Sequence, residues 1–274
     1  MEHNNVGVVG FGFVGKAVSQ ISTIRSLDIY DPNNEDYNSV DQKIRAYNCD
    51  IIFINVPTNL KNGRLDLSIL NECLFSYRAH NLNKNSTIVI KSTVPVGTCR
   101  DLSEKHNIES LVFNPEFLSE RTAMEDFINE KELYLAGEKR HTEKVKELYV
   151  EFYKKCENGE LQIFETESWE EIELLKLARN TFYGLKVSYC NNIYNLCKSK
   201  NIDYDKFRKH FSRGIWVGDQ HTHVPGPDGK FGYGGKCLPK DSTELLNFCK
   251  KQGIIFEMLE KSILFNAEQR SKHE

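Results

Sequence analysis

Hydrophobic positions in the first 165 residues gather into short, almost unbroken runs separated by longer mixed stretches. Val6-Gly7-Val8-Val9, Leu27-Asp28-Ile29-Tyr30, Asp50-Ile51-Ile52-Phe53-Ile54-Asn55-Val56, Ser86-Thr87-Ile88-Val89-Ile90 and Leu111-Val112-Phe113 read as strands. The run Asp50–Val56 is nearly all apolar, as a strand buried on both faces should be. Asn62-Gly63 marks a turn, and a helical pattern over about 67–80 follows it. Two more strands, near Leu133–Ala136 and Leu161–Phe164, flank a charged helix over about 141–155. Polar residues collect just past the strand ends. The alternation predicts an α/β architecture, a doubly wound parallel sheet whose site lies along its carboxyl edge.

Beyond residue 165 the pattern changes. Glu167 to about Lys200 contains no proline and keeps a helical period, which at 1.5 Å per residue predicts a helix of ~50 Å. Ser168 is placed to cap it, and Glu170, Glu171 and Glu173 suit its positive end. Leu174, Ala178, Phe182, Leu185 and Tyr189 form an apolar stripe, and Lys176, Asn180 and Gly184 form another stripe at spacings of four. Because a helical glycine costs ~1 kcal/mol relative to alanine, Gly184 points to close approach of another element. A shorter helix over about 203–212, a Gly/Pro-rich loop over 214–235, and helices over Lys240–Lys251 and Phe256–Arg270 complete the chain. The expected division is therefore residues 1–165 and residues 166–274, the latter a long central helix with a small helical domain.

Composition narrows the class. With 39% hydrophobic and 27% charged residues in 274, the chain reads as an ordinary globular protein able to bury a sizeable core. A net charge of -3 argues against general binding to nucleic acid or anionic membranes. No apolar run approaches the ~20 residues of a membrane span. Met1-Glu2-His3-Asn4-Asn5 lacks the pattern of a signal peptide, so a cytoplasmic location is expected. The cysteines, Cys49, Cys73, Cys99, Cys156, Cys190, Cys197, Cys237 and Cys249, show no C-x-x-C pair. Reduced thiols and no metal site are the expectation. His221-x-His223 is not metal spacing by itself and suits surface or substrate contact.

Two stretches carry chemistry. Gly10-Phe11-Gly12-Phe13-Val14-Gly15 follows the first strand and fits G-x-G-x-x-G. Its glycines serve the tight turn, the approach of backbone to a pyrophosphate, and helix packing, with the phosphates on the helix N-terminus. Asp31 lies 21 residues after Gly10, where a carboxylate accepts ribose hydroxyls and repels a 2′-phosphate; the expected cofactor is NAD. Pro57-Thr58, after Val56, stands at a strand end suited to the nicotinamide ribose. The second stretch is Gly232-Tyr233-Gly234-Gly235-Lys236-Cys237-Leu238-Pro239-Lys240-Asp241. Its glycines leave room for a ligand against the backbone. Lys236 or Lys240 would favour a thiolate at Cys237, and Asp241 is near enough in sequence to serve the sulfur or a water.

In order along the chain, these motifs, with Val56-Pro57-Thr58, Lys91-Ser92-Thr93, Asn114-Pro115-Glu116-Phe117-Leu118 and Lys176-x-x-x-Asn180, resemble those of the UDP-glucose/GDP-mannose dehydrogenase family. The resemblance covers nearly the whole chain. It implies a Rossmann-type NAD-binding domain over 1–165 and a catalytic helical domain over 166–274. It also implies NAD-dependent, four-electron oxidation of the C6 alcohol of a nucleotide sugar, UDP-glucose above all. By the same resemblance Cys237 is the nucleophile, Asp241 holds a water, Lys176 and Asn180 steady an oxyanion, and Glu116 is the acid/base of hydrolysis. Thr93 orders a water or meets the nicotinamide with Ser92 beside it, Glu120 supports the sugar or Lys176, and Phe117, Leu118 and Gly232–Gly235 line the substrate. Family members also dimerise through the central helix, here offering Tyr189, Ile193 and Leu196.

Several features depart from the family pattern. Members carry a further domain of ~100–150 residues after the central helices, so a short form is expected from a sequence reaching Glu274. Loop 214–235 is longer than usual, Asn59 replaces a commoner proline, and Ser119-Glu120-Arg121 replaces a small residue, Glu and Gly. Two other readings compete: a two-electron hydroxy-acid dehydrogenase, for which Gly-Gly-x-Cys has no task, and a non-catalytic NAD-binding protein.

Overall fold

The computed structural model describes residues 5–157 and 159–271. Met1–Asn4, the start of the segment read above for a signal peptide, and residues 272–274 of the second expected domain lie outside the described residues. The chain divides into two compact units, one holding the chain up to Thr58 and Asp66–Leu174, the other Asn59–Leu65 and the chain from Leu175.

The first unit is built on β1 (Val6–Val9), α1 (Phe13–Val18), β2 (Leu27–Tyr30), α2 (Val40–Tyr47) and β3 (Ile51–Ile54). After a hairpin of β4 (Leu60–Lys61) and β5 (Arg64–Leu65) come α3 (Ser68–His80), β6 (Thr87–Ile90), α4 (Thr98–His106) and β7 (Leu111–Phe113). It continues through α5 (Ala123–Ile128), β8 (Glu132–Ala136), α6 (Lys139–Lys155) and β9 (Gln162–Thr166). Among the described residues seven strands form one sheet in the order β2-β1-β3-β6-β7-β8-β9. The chain reverses its direction of travel across the sheet at β1 and β3, which makes their carboxyl ends the natural crevice for a ligand. Strands β1, β3 and β6 are wholly buried, as their unbroken apolar runs require. One pairing departs from an all-parallel sheet: β7 and β8 meet antiparallel at Phe113 and Ala136. An apolar run buries equally well in either direction, so the reversal left no mark on the pattern. Val6, Val8, Phe53, Val89 and Val112 of the sheet pack with Ala17 and Val18 of α1 and with Val145, Leu148, Tyr149 and Phe152 of α6.

The second unit takes the hairpin, most of α7 (Trp169–Ser199), α8 (Tyr204–Phe211), α9 (Leu238–Lys251) and α10 (Glu257–Ser271). Cys190 and Cys197 of α7 pack against Tyr204 and Val224, with Ile193, Tyr194, Phe211 and Phe231 around them. Tyr204 Oη donates to the Thr222 carbonyl at 2.7 Å, pinning the long loop to α8. Helix α9 starts at Leu238, two residues before the expected Lys240, because Pro239 is tolerated in a first turn whose N–H has no partner to lose.

The central helix corrects the sequence reading. Leu174, Phe182 and Tyr189 of the expected apolar stripe are 40%, 62% and 55% exposed, while Lys176 and Asn180 are 2% and 6% exposed. The polar and small-residue face lies inward. Glu173, expected to serve the start of α7, caps a different helix: its carboxylate accepts Gly97 N at 2.5 Å and Cys99 N at 2.8 Å, at the head of α4.

Candidate active site

In the first unit the Gly-rich turn has the geometry a dinucleotide needs. Gly10 adopts φ +85, and a Cβ there would stand 2.8 Å from the Asn55 carbonyl. A Cβ on Gly15 would run into the Gly10 carbonyl, whereas nothing lies within 4 Å of one on Gly12. The first glycine makes the turn, the third brings α1 onto the strand, and the second leaves the approach open. Asp31, at the end of β2, accepts Phe11 N at 2.7 Å and Asn33 N at 2.9 Å. Its carboxylate is thereby fixed against the turn, with lone pairs remaining for ribose hydroxyls. These residues fit NAD, which, once bound, supplies a hydride acceptor.

The ends of β3 and β6 are tied to each other. Ser92 Oγ donates to the Val56 carbonyl and Thr58 Oγ1 to the Thr93 carbonyl, both at 2.6 Å. Val56, Thr58, Ser92 and Thr93 are all buried, and Pro57 sits exposed between them. Following β7, Glu116 is 9% exposed and accepts the N–H of Leu118 at 2.6 Å. Leu118 is buried, and Phe117 meets the ring of Tyr134 edge-on at 5.6 Å. Behind this loop Lys91 donates to Asn114 Oδ1 at 2.9 Å. Glu120 lies in a surface cavity of about 300 Å³ with Phe13, Lys16 and Arg121.

In the second unit two of the expected catalytic residues, Asn180 and Asp241, meet. Asp241 is fully buried, with Asn180 Nδ2 donating to Oδ2 at 2.5 Å and Lys240 Nζ to Oδ1 at 2.5 Å. A buried carboxylate is tolerable only with such partners. Lys176 stands one turn from Asn180 on α7, on the same inward face. Cys237 is half-buried at the N-cap of α9, next to helix N–H groups that favour an anion. Lys240, expected near the sulfur, pairs with Asp241. No disulfide joins any of the eight cysteines in this structure.

The glycines before Cys237 are used differently from the expectation. A Cβ on Gly232 would strike Asn266 Oδ1, and one on Gly234 would strike the Arg270 guanidinium. Only Gly235 of the three, at φ +73, faces open space. Gly184 does mark a close approach, since a Cβ would lie 3.3 Å from the Tyr233 ring and from Ser242 Oγ. Asn191 and Asn266, which hold Gly232 N and Tyr233 N, were not singled out by sequence. Asn191 continues the Lys176–Asn180–Gly184 stripe seven residues on, and that spacing is the signal that would find it. His221 stacks on Tyr183 at 4.5 Å, and burial holds its pKa down; His223 faces Asp219 at 3.8 Å, so the two rings have separate surroundings.

Fold and Gly-rich turn together define a nucleotide-binding protein of the Rossmann dehydrogenase class. Residues 28–155 match the NAD binding domain of the UDP-glucose/GDP-mannose dehydrogenase family and residues 170–268 match its central domain. The chain belongs to that family, and NAD is the cofactor of its first domain. It is 30% identical to UDP-glucose 6-dehydrogenase TuaD of Bacillus subtilis over 97% of this chain and 63% of that protein. Against other curated relatives it spans about half their length, 50% and 49% for two of them. A UDP-glucose dehydrogenase structure from Pyrobaculum islandicum superposes with TM-score 0.80 at 23% identity, covering 97% of this chain and 68% of that one. A 3-hydroxyisobutyrate dehydrogenase of Mycobacterium tuberculosis superposes with TM-score 0.75 at 12% identity, covering 99% and 95%. Likeness at these identities establishes the fold alone. No described helix is long and apolar enough to cross a membrane.

Proposed function

We propose that this chain carries out the four-electron, NAD-dependent oxidation of a nucleotide sugar at C6, converting UDP-glucose to UDP-glucuronate through a covalent link to Cys237. The observation that carries the reading is the buried Asn180–Asp241–Lys240 cluster, on α7 and on the helix that Cys237 opens. NAD held by the Gly10–Gly15 turn and Asp31 would supply the hydride acceptor for each oxidation. A water on Asp241 takes the C6 hydroxyl proton, while Lys176 and Asn180 steady the oxyanion. The Cys237 sulfur adds to the C6 aldehyde, forming a C–S bond and a thiohemiacetal, and the second oxidation turns this into a thioester. Water attacks the thioester with Glu116 as acid/base, the C–S bond breaks, and the thiol regains its proton. Thr93 orders a water near this chemistry or meets the nicotinamide; Phe117, Leu118, Glu120 and the open Gly235 contact the sugar nucleotide, while Gly232, Tyr233 and Gly234, expected beside it, are taken up by Asn266 and Arg270.

Purified protein is offered UDP-glucose, UDP-GlcNAc, UDP-ManNAc and GDP-mannose, and NADH is counted per sugar consumed. Two NADH from UDP-glucose support the reading, with product lost in Cys237→Ser. One NADH per sugar makes the chain a two-electron dehydrogenase, a chemistry the hydroxyisobutyrate dehydrogenase fold also serves. NAD binding with no NADH from any of the sugars makes it non-catalytic. We further assign a homodimer formed through α7, whose exposed apolar side chains have no cover in the described residues.

A further inference from the structure

We propose that Asn266 of α10 is the positioning residue for Cys237, its side-chain amide fixing the turn that delivers the thiol to the head of α9. The inference rests on the reading of Cys237 as the nucleophile. Asn266 is 8% exposed, and both ends of its amide are spent on one residue: Oδ1 accepts Tyr233 N at 2.6 Å and Nδ2 donates to Tyr233 O at 2.9 Å. The side chain thus does what a neighbouring strand would do for a buried peptide. From α7, Asn191 Oδ1 accepts Gly232 N at 3.0 Å and completes the grip.

The sequence of the turn is shaped to this clamp. Gly232 sits at φ +72, and any side chain there would strike Asn266 Oδ1. Gly234 lies under the Arg270 guanidinium, which is in turn paired with Asp228 at 2.7 Å. Tyr233 is 4% exposed with its ring against Gly184. A segment with three glycines in four positions has little conformational preference of its own. Its geometry must therefore come from outside, and α10 supplies it four residues ahead of the sulfur. Reacting groups tolerate little error: a displacement of ~1 Å can slow a reaction about a hundredfold.

The test reads the thiol directly. Native protein is alkylated with iodoacetamide near neutral pH, and the rate at each cysteine is followed by peptide mass spectrometry, with half-exposed Cys156 as the internal reference. Wild-type Cys237 is expected to react faster than Cys156. Asn266→Ala, and Asn266→Asp, which loses the donor to Tyr233 O, are expected to slow Cys237 about tenfold or more and leave Cys156 unchanged. Leu259→Ala, a buried apolar change in the same helix, lowers the melting temperature but leaves the Cys237 rate alone. If Asn266→Ala does not fold, Gly232→Ala displaces the clamp from the loop side and is expected to give the same slowing. Folded Asn266 variants that alkylate Cys237 at the wild-type rate overturn the inference. A wild-type Cys237 no faster than Cys156 removes the nucleophile reading itself, and the inference with it.

Discussion

Asp241 shows what one buried charge demands. Its oxygens are held by an amide 61 positions earlier in the chain and by the ammonium next door. Asp241→Asn keeps the shape but removes the charge that holds Lys240 and that, in the proposed mechanism, would hold a water. The variant is expected to lose about 1–3 kcal/mol of stability in a thermal melt and about a hundredfold or more in the initial rate of NADH formation. Turnover at the wild-type rate would remove Asp241 from the mechanism. The residue types here were legible in the sequence, but their pairing was not. Sequence offers Lys240 as a cation for the sulfur but not its pairing with Asp241, which the fold alone sets.

Among the elements, α4 and α7 illustrate how one helix end is completed by another. Gly97, the N-cap of α4, has no side chain to cap with, and Glu173 of α7 takes that part. Burial raises the pKa of Glu173, and also that of Glu244, which accepts Leu65 N of the hairpin at 3.3 Å. Below the ordinary Glu value of about 4.3 both folded and unfolded chains hold these protons. Between that value and the raised folded one, only the folded chain does, so stability falls as pH rises through this window. Unfolding titrations should show that slope, with Glu173→Gln reducing it and Glu173→Ala costing about 1–2 kcal/mol near neutral pH through the lost cap. A wild-type slope in both Glu173→Gln and Glu244→Gln would refute the assignment.

At the scale of the whole molecule, a second copy would cover the exposed apolar face of α7. Phe182, Tyr189 and Leu196 recur every seven residues and are 62%, 55% and 57% exposed, a spacing that keeps them on one side of the helix. Ile193, expected with them, is half-buried against the Cys190 and Cys197 cluster. Sedimentation at micromolar concentration is expected to find a dimer, and Phe182→Asp a monomer. A wild-type monomer would refute the pairing. Exposed apolar rows of this length seldom remain uncovered.

The sequence by itself determined what depends on neighbours along the chain: the buried strands, the helical spans, the Gly-rich turn with Asp31, and the motif around Cys237. These follow from steric rules for glycine, from unbroken apolar runs and from the 3.6-residue period, all of which short windows contain. Tertiary structure alone decided which face of α7 turns inward, that β8 runs antiparallel, that Glu173 caps α4, and that Asn266 and Arg270 fill the space left by glycines. Each of these is a contact between segments distant in sequence. A hydrophobic pattern records that a position prefers burial, but a polar side chain is buried only where a distant partner satisfies it.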